Sequence, residues 1–366
     1  MTIHRLHIQG VRNISDARLE PAYFVNIVFG DNGSGKTSVL ESIHILTHGR
    51  SFRSTSSKNT TLIQQGLHAL TVYGEIGEIH NHVGVSKAVD GVNQIKISGE
   101  KVTAVSELAK LSPVQIIDAQ AFDLLTGSPA VRRQFLDWGV FHVEHGFLNV
   151  WQRVQKALKN RNSLLRSGKI TDPIQMSAWT REFASAAERL DEYRQQYLER
   201  FKQQFVDILA KLTDLDDFSL SYHRGWDKAR SLLDVLGASE DVDIKTGFTH
   251  SGPQRADIRI KLGKHNAADI LSRGQQKLVV IAMKLAQGAH LQTFKEHKRC
   301  IFLLDDLPAE LDSNHTHKVC QILEQMDAQV FLTCVEPGEL LEFWNNKDQI
   351  KMFHVKHGQV SGELDE

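Results

Sequence analysis

The sequence predicts an α/β fold with a helical arm inserted between its two halves. Three stretches predict it. Val25 to Phe29 is an apolar run leading into Gly30-Asp31-Asn32-Gly33-Ser34-Gly35-Lys36-Thr37, and Val39, Leu40, Ile43 and Leu46 then recur at helical spacing. Ile301-Phe302-Leu303-Leu304 is a wholly apolar strand that ends in Asp305-Asp306. Between these, residues 131–212 are poor in glycine and repeat at threes and fours.

The first stretch fits G-x-x-x-x-G-K-[ST] at every fixed position, in the strand–loop–helix context that pattern needs. Glycines let backbone N–H groups turn inward toward phosphate oxygens, and the following helix adds its positive end. Gly30, Asp31, Asn32, Gly33, Ser34 and Gly35 are expected to cradle a nucleoside triphosphate, with Lys36, Thr37 and Ser38 opening the helix. Lys36 is expected to reach the β- and γ-phosphates, and Thr37 to place its hydroxyl on Mg²⁺. The bland alternative, a glycine-rich turn before a helix, gives no reason for both the lysine and the threonine.

Composition bounds the rest. A chain of 366 residues suggests about two domains. A net charge of −1 argues against a globally basic nucleic-acid binder but permits a local basic patch. Cys300, Cys320 and Cys334 lie far apart without a C-x-x-C, which fits a reducing cytoplasm. No apolar run is long enough to span a bilayer, and the N-terminus lacks a signal peptide's apolar core, so a cytoplasmic protein without a membrane partner is expected.

In chain order, residues 3–8 alternate as a strand, 25–29 form a second, and a helix covers about 36–47. Residues 69–118 read as mostly β: short runs such as Leu70-Val72-Tyr73 and Val83-Val85 are punctuated by glycines, and Val114 to Ile117 is a further apolar strand. The character changes after Ser128-Pro129. Two or three antiparallel helices follow, broken near Gly168 to Pro173. The clearest carries Trp179, Phe183, Ala187, Leu190, Tyr193 (or Arg194), Tyr197, Phe201, Phe205, Ile208 and Leu212. After Gly247 the α/β pattern returns: strand 258–262, helix 278–291, strand 301–304, helix 316–326, strand 330–334 and strand 352–355, ahead of an acidic tail. The expected division is an ATPase lobe at 1–128, a helical arm at 129–245 and the rest of the head at 246–366.

Two further constellations carry chemistry. A buried strand ending in a carboxylate delivers a Mg²⁺ ligand beside a phosphate loop, a role for Asp305, and Asp306 stands where a general base can polarise the attacking water. The alternative is a core strand ending in solvated aspartates, which the phosphate loop upstream makes the weaker reading. In Leu271-Ser272-Arg273-Gly274-Gln275, Ser272 supplies a hydroxyl and Gly274 a backbone N–H at a helix start that can face an anion. The alternative is an N-cap, with Ser272 capping the helix and Gln275 as its N3 partner. Capping and phosphate binding use the same N–H groups, so both readings stand.

Here the chain resembles a known family. L-S-x-G-Q lying between a phosphate loop and an apolar-D-D strand resembles the signature motif of ABC-type ATPases, and Ala309-Glu310-Leu311-Asp312 resembles their D-loop. Thr333 falls where many of them place a histidine, leaving open what meets the γ-phosphate. Ile8-Gln9-Gly10-Val11-Arg12-Asn13 is similar to the opening of those that act on DNA, with Val11 where Phe is usual. Gly49 to Ser54, Gly127 to Gly139, Ser251 to Asp257 (Gln254 replacing a usual His) and Leu271 to Lys277 resemble the RecF family of bacterial repair proteins, in the same order across nearly the whole chain. Asp118-Ala119-Gln120-Ala121-Phe122 departs from the family's usual segment, and the Q-loop glutamine is Gln115 or Gln120. The resemblance implies an ABC-type (Rad50-like) P-loop ATPase head with an inserted helical arm. It implies an ATP-dependent homodimer in which Lys36, Asp305 and Asp306 of one copy face Ser272, Gly274 and Gln275 of the other, and ATP with Mg²⁺ as cofactors. Implied partners are DNA, single-stranded, double-stranded or at gap junctions, with RecR, RecO and RecA. Asp306 is one methylene shorter than the glutamate of fast ABC hydrolases, so turnover is expected to be slow. A transporter's nucleotide-binding subunit would share the ATP motifs but not the arm. An ATP-gated clamp with negligible hydrolysis is the other alternative.

Between Glu144 and Asp172 there is no acid, and Arg153, Lys156, Lys159, Arg161, Arg166 and Lys169 occur. Trp151, Val154, Leu158 and Leu165 line one helical face, and Arg153, Lys156 and Lys159 fall on another. Such a stripe suits phosphate contacts, with a solvated helix face as the alternative. Three contacts would give a slope of log K on log[salt] near −2.7. Arg50, Arg53, Arg132 and Arg133 are further candidates.

Overall fold

The computed structural model describes residues 2–53, 59–170, 172–294 and 299–362. They form two compact units, one from residues 1–121 and 281–366, the other from 122–280.

The first unit begins with a hairpin of β1 (Ile3–Val11) and β2 (Ile14–Leu19). Then come β3 (Val25–Phe29), α1 (Lys36–His48), the meander β4 (Ala69–Ile76), β5 (Asn81–Ala88), β6 (Asn93–Ile97) and β7 (Glu100–Val102), α2 (Val105–Leu111) and β8 (Val114–Ile117). Strand order β2-β1-β4-β5-β6-β7 makes an antiparallel sheet. An irregularity between Ile3 and Arg5 resets the alternation, so Ile3 and Leu6 are both buried. α1 starts at Gly35 and stops at Gly49, whose φ of 64° only glycine adopts readily and whose N–H bonds Ile45 O at 2.8 Å. Its Val39, Ile43 and Leu46 are wholly buried and pack in one core with Leu6, Ile8 and Val72 of this sheet and with Val28, Leu303 and Phe331 of the second sheet.

The second unit holds α3 (Asp123–Thr126), α4 (Pro129–Val143), α5 (Phe147–Leu165), α6 (Pro173–Leu212), β9 (Phe218–His223), α7 (Leu232–Ala238), α8 (Glu240–Thr246), β10 (Asp257–Leu262), β11 (His265–Asn266) and α9 (Ala267–Ile270). Strands β11-β10-β9 form a small antiparallel sheet. α6 runs 40 residues from Pro173, with Asp172 Oδ1 accepting from Gln175 N at 2.9 Å. On its inner face Arg194, not Tyr193, is the buried residue, and its guanidinium meets Asp137 of α4 at 2.8 and 2.9 Å. A Cβ on Gly139 would stand 2.1 Å from the Tyr197 ring, so α4 and α6 can close only on glycine.

Arg161, one of the six basic residues of the acid-free run, is not on the surface: it is 1% exposed and paired at 2.9 Å with Asp243, itself fully buried. Helical spacing showed which face of α5 is apolar but not that α8 brings a carboxylate to it. Asp243→Ala is expected to lower unfolding free energy by about 3–5 kcal/mol, read from urea denaturation, because it strands a buried guanidinium.

α10 (Arg273–Gln292) runs out of the second unit into the first. The first unit then resumes with β12 (Ile301–Leu304), α11 (Leu307–Glu310), α12 (Ser313–Gln325), β13 (Gln329–Cys334), α13 (Gly338–Glu342), β14 (Ile350–Lys356) and β15 (Gln359–Gly362). Order β15-β14-β3-β13-β12-β8 makes the second sheet, parallel except for β15. β12 and β13 are buried along their whole length, which explains the unbroken apolar run of β12 and the apolar Val330-Phe331-Leu332 of β13. No helix among the described residues is long and apolar enough to cross a membrane.

Candidate functional site

Three glycines set the phosphate loop. Gly30, Gly33 and Gly35 have φ of 141°, 79° and 123°, which side-chain-bearing residues avoid. A Cβ on Gly30 would stand 2.2 Å from Val355 O. The loop is braced from outside: Asn13 Nδ2 donates to Ser34 O at 2.8 Å, Ser38 Oγ donates to Asn13 Oδ1 at 3.1 Å, and Gly358 N donates to Ser34 O at 2.8 Å. Inside the loop, Lys36 Nζ donates to Gly30 O at 2.7 Å and to Asp31 O at 3.0 Å. Ser34 Oγ is buried and has no hydrogen-bond partner. That orphaned hydroxyl, with the lysine and the positive-φ backbone, fits a triphosphate.

The ends of three parallel strands supply the carboxylates. Leu304 of β12 registers with Ile117 of β8 and Leu332 of β13, so Asp305, Asp118 and Thr333 follow at one level. Thr37 Oγ1 donates to Asp305 Oδ1 at 3.0 Å, joining the two residues expected to hold Mg²⁺. Thr333 is fully buried inside β13; its hydroxyl donates to the same Asp305 oxygen at 2.9 Å and accepts from Asp306 N at 2.8 Å. It is therefore a brace beneath the carboxylates, where the sequence had left its role open. Asp306 sits half-buried at φ 55°, a left-handed conformation uncommon for a residue other than glycine. Burial raises its pKa; Asp305 and Glu310 push the same way against Lys36. Asp118 is raised chiefly by burial too, with its Oδ1 accepting from Ala121 N at 2.9 Å.

The two candidate glutamines separate. Gln115 is 2% exposed in mid-strand and donates to Gln287 Oε1 at 2.9 Å. Gln120 is exposed on a single turn, Ala119–Phe122, just past β8. Open α/β sheets bind ligands at the carboxyl ends of their strands, which is where Gln120 stands.

The signature stretch forms a capping box. Ser272 N donates to Gln275 Oε1 at 3.0 Å, and Gln275 N donates to Ser272 Oγ at 3.3 Å. Ser272 and Gly274 are exposed, and nothing lies within 4 Å of where a Gly274 Cβ would be. Past Asp306, Asp312 opens α12 by accepting from His315 N at 2.9 Å.

Residues far apart in sequence complete the frame. Arg12, at φ 54°, grips Glu41 through two bonds of 2.9 Å, and the fully buried Glu41 also accepts from Ser51 Oγ. This network ties the Arg12-Asn13 turn and the loop at 49–53 to α1. The Arg12-Asn13 turn and the 49–53 loop gave a signal in the sequence only by resemblance, and Glu41, which joins them, gave none.

The basic candidates divide by their partners. Arg153 meets Glu182 of α6 at 2.8 and 3.1 Å, while Lys156 and Lys159 are exposed. Arg132 is bound to Asp257 at 2.7 Å, and Arg133 donates to Ala256 O at 2.8 Å. Arg50 and Arg53 are exposed.

Comparison with known proteins gives the family and the fold. Residues 2–361 match the family model described as RecF/RecN/SMC N terminal domain. The "DNA replication and repair protein RecF" of Stutzerimonas stutzeri is 49% identical over 364 residues, covering 99% of this chain and 97% of that protein. Its namesake from Pseudomonas aeruginosa LESB58 is also 49% identical, covering 99% and 98%. Among solved structures, the recombination mediator protein RecF-ATP in the RecFOR pathway aligns with a TM-score of 0.85 at 23% identity, covering 98% of this chain and 97% of that one. An SMC head bound to the C-terminal winged-helix domain of ScpA aligns at 0.60 and 16%, covering 99% and 97%. These structures show the shared ATPase-head fold. With a family model spanning nearly all its residues and relatives close to half identical over their full length, the chain belongs to the RecF family of DNA replication and repair proteins.

Proposed function

We propose that the chain is an ATP-gated DNA-binding protein of recombinational repair and fork maintenance. Two copies close on two ATP molecules, hold DNA at single-strand gaps and, with RecR and RecO, direct RecA there; slow hydrolysis releases them. The observation that carries this is the convergence of Lys36, Thr37, Asp305 and Asp306 at one sheet end, while Ser272 and Gly274 stand exposed in the other unit.

Lys36 would leave its two carbonyls for the phosphates. Thr37 and Asp305 would hold Mg²⁺, which neutralises triphosphate charge when bound. Asp306 would orient a water toward the γ-phosphorus, whose bond to the bridging oxygen breaks as the new one forms. Gln120, exposed just past β8, would follow that change. Ser272 and Gly274 of the partner copy would complete the γ-phosphate's shell.

Sedimentation with ATP, with ADP, and with ATP plus gapped DNA tests this reading. It expects dimers only with ATP and a DNA complex only from those dimers. Phosphate release with and without DNA separates slow hydrolysis from a clamp that does not hydrolyse.

On the helical arm, Glu182 already occupies Arg153, so Lys156 and Lys159 are the proposed DNA contacts. Lys156→Glu with Lys159→Glu is expected to flatten the salt slope of ATP-dependent DNA binding by about 1.8. An unchanged slope removes the arm from the interface.

A further inference from the structure

The small sheet of the second unit has a buried face and an open one. Leu220 of β9 and Ile258 and Ile260 of β10 are buried, so Asp257, Arg259 and Lys261 stand on the opposite face. There Arg259 lies across from Ser221, and Lys261 from Ser219. Beside them runs a cleft of 470 Å³ whose polar lining includes Thr126, Arg132, Arg259, Lys261, Asn266 and Asp269.

The charges in this cleft are not balanced. Asp257 is held by Arg132, whose Nε and Nη2 lie 2.7 and 3.1 Å from its two oxygens, and Arg132 Nη1 donates to Gly127 O at 2.8 Å. Asp269 of α9 is the remaining acid. Among the described residues, the side chains of Arg259, Lys261, Ser219 and Ser221 have no hydrogen-bond or ion-pair partner. The open face therefore presents two cations and two hydroxyls that no described residue binds.

A strand advances about 3.3 Å per residue, so the two cations repeat along β10 at roughly twice that. This is comparable to the separation of successive phosphates on one nucleic-acid strand. The face offers no exposed phenyl, tyrosyl or indole anchor of the kind that dominates protein interfaces. We propose that this face and its cleft take the sugar-phosphate backbone of one DNA strand, with Arg259 and Lys261 as the phosphate contacts and Ser219 and Ser221 as neutral donors. Contacts of this kind position DNA without reading its sequence. The inference rests on the DNA-binding reading above and locates a surface for it that the arm's sequence did not suggest.

The test uses the full chain with ATP and a fluorescent gapped duplex, titrated from 50 to 200 mM salt. Arg259→Ala with Lys261→Ala is expected to weaken binding equally across sequences and to flatten the salt slope by about 1.8, so the wild type's advantage shrinks roughly tenfold over that range. Ser221→Asp, which keeps both cations and adds an anion opposite Arg259, is expected to weaken binding in the same direction. ATP-dependent dimerisation should be unchanged in both. Wild-type affinity and slope in both variants overturns the inference while leaving the DNA-binding reading intact. So does unchanged DNA binding with loss of an acidic protein partner. Failure of the wild type itself to bind DNA with ATP overturns both.

Discussion

Lys36→Met is expected to abolish ATP binding and, with it, ATP-dependent dimerisation. The side chain is 8% exposed, and its ammonium bridges Gly30 O and Asp31 O. Methionine fills the same channel but donates nothing. The phosphates then lose a charge-assisted partner in a water-poor cradle. Truncating one side of such a pair costs about 2–5 kcal/mol, which is thirty-fold or more in Kd. Isothermal titration with a non-hydrolysed ATP analogue reads the loss directly. Near-wild-type affinity would mean that the backbone amides alone hold the nucleotide.

Thr333→Val is expected to lower ATP hydrolysis by about 10–100-fold while leaving ATP affinity much closer to wild type. The swap keeps volume and removes one hydroxyl. That hydroxyl donates to Asp305 Oδ1 at 2.9 Å and accepts from Asp306 N at 2.8 Å. Without it the Asp306 N–H loses its partner, at a cost of about 1–3 kcal/mol, and the proposed ligand Asp305 and the proposed base Asp306 lose their common anchor. Thr333→Ser restores the hydroxyl and should restore most activity. A valine variant hydrolysing at the wild-type rate would make Thr333 a packing residue only.

The phosphate loop, the Asp305-Asp306 strand end and the signature stretch were legible because each is local: a short motif whose flanks declare strand or helix. The long helices were legible for the same reason, since Phe183, Leu190, Tyr197, Phe201 and Phe205 recur on one face. What was not legible depends on partners distant in sequence. Thr333 drew notice only as the residue standing in place of a histidine, and its hydroxyl's role appears only when parallel register sets it beside Asp305. Glu182 and Asp243 reach the basic helix from other elements, so a helix that is wholly basic in sequence is partly neutralised in space. β2, β9 and β15 were missed because their alternation is short or half polar, as in Ile14-Ser15-Asp16-Ala17-Arg18-Leu19. Ser272 shows the limit of the reverse inference. The capping box is present, and Gly274 beside it stays exposed, so the cap alone does not decide between the two readings.

That second copy is the central claim, and Ser272→Arg tests it most directly. Ser272 is exposed, so the substitution removes one helix cap, a cost of about 1 kcal/mol, without entering the core. Sedimentation velocity of this variant with saturating ATP is the measurement. The account predicts wild-type ATP binding by a species that stays monomeric. A dimer forming at the wild-type concentration would contradict it.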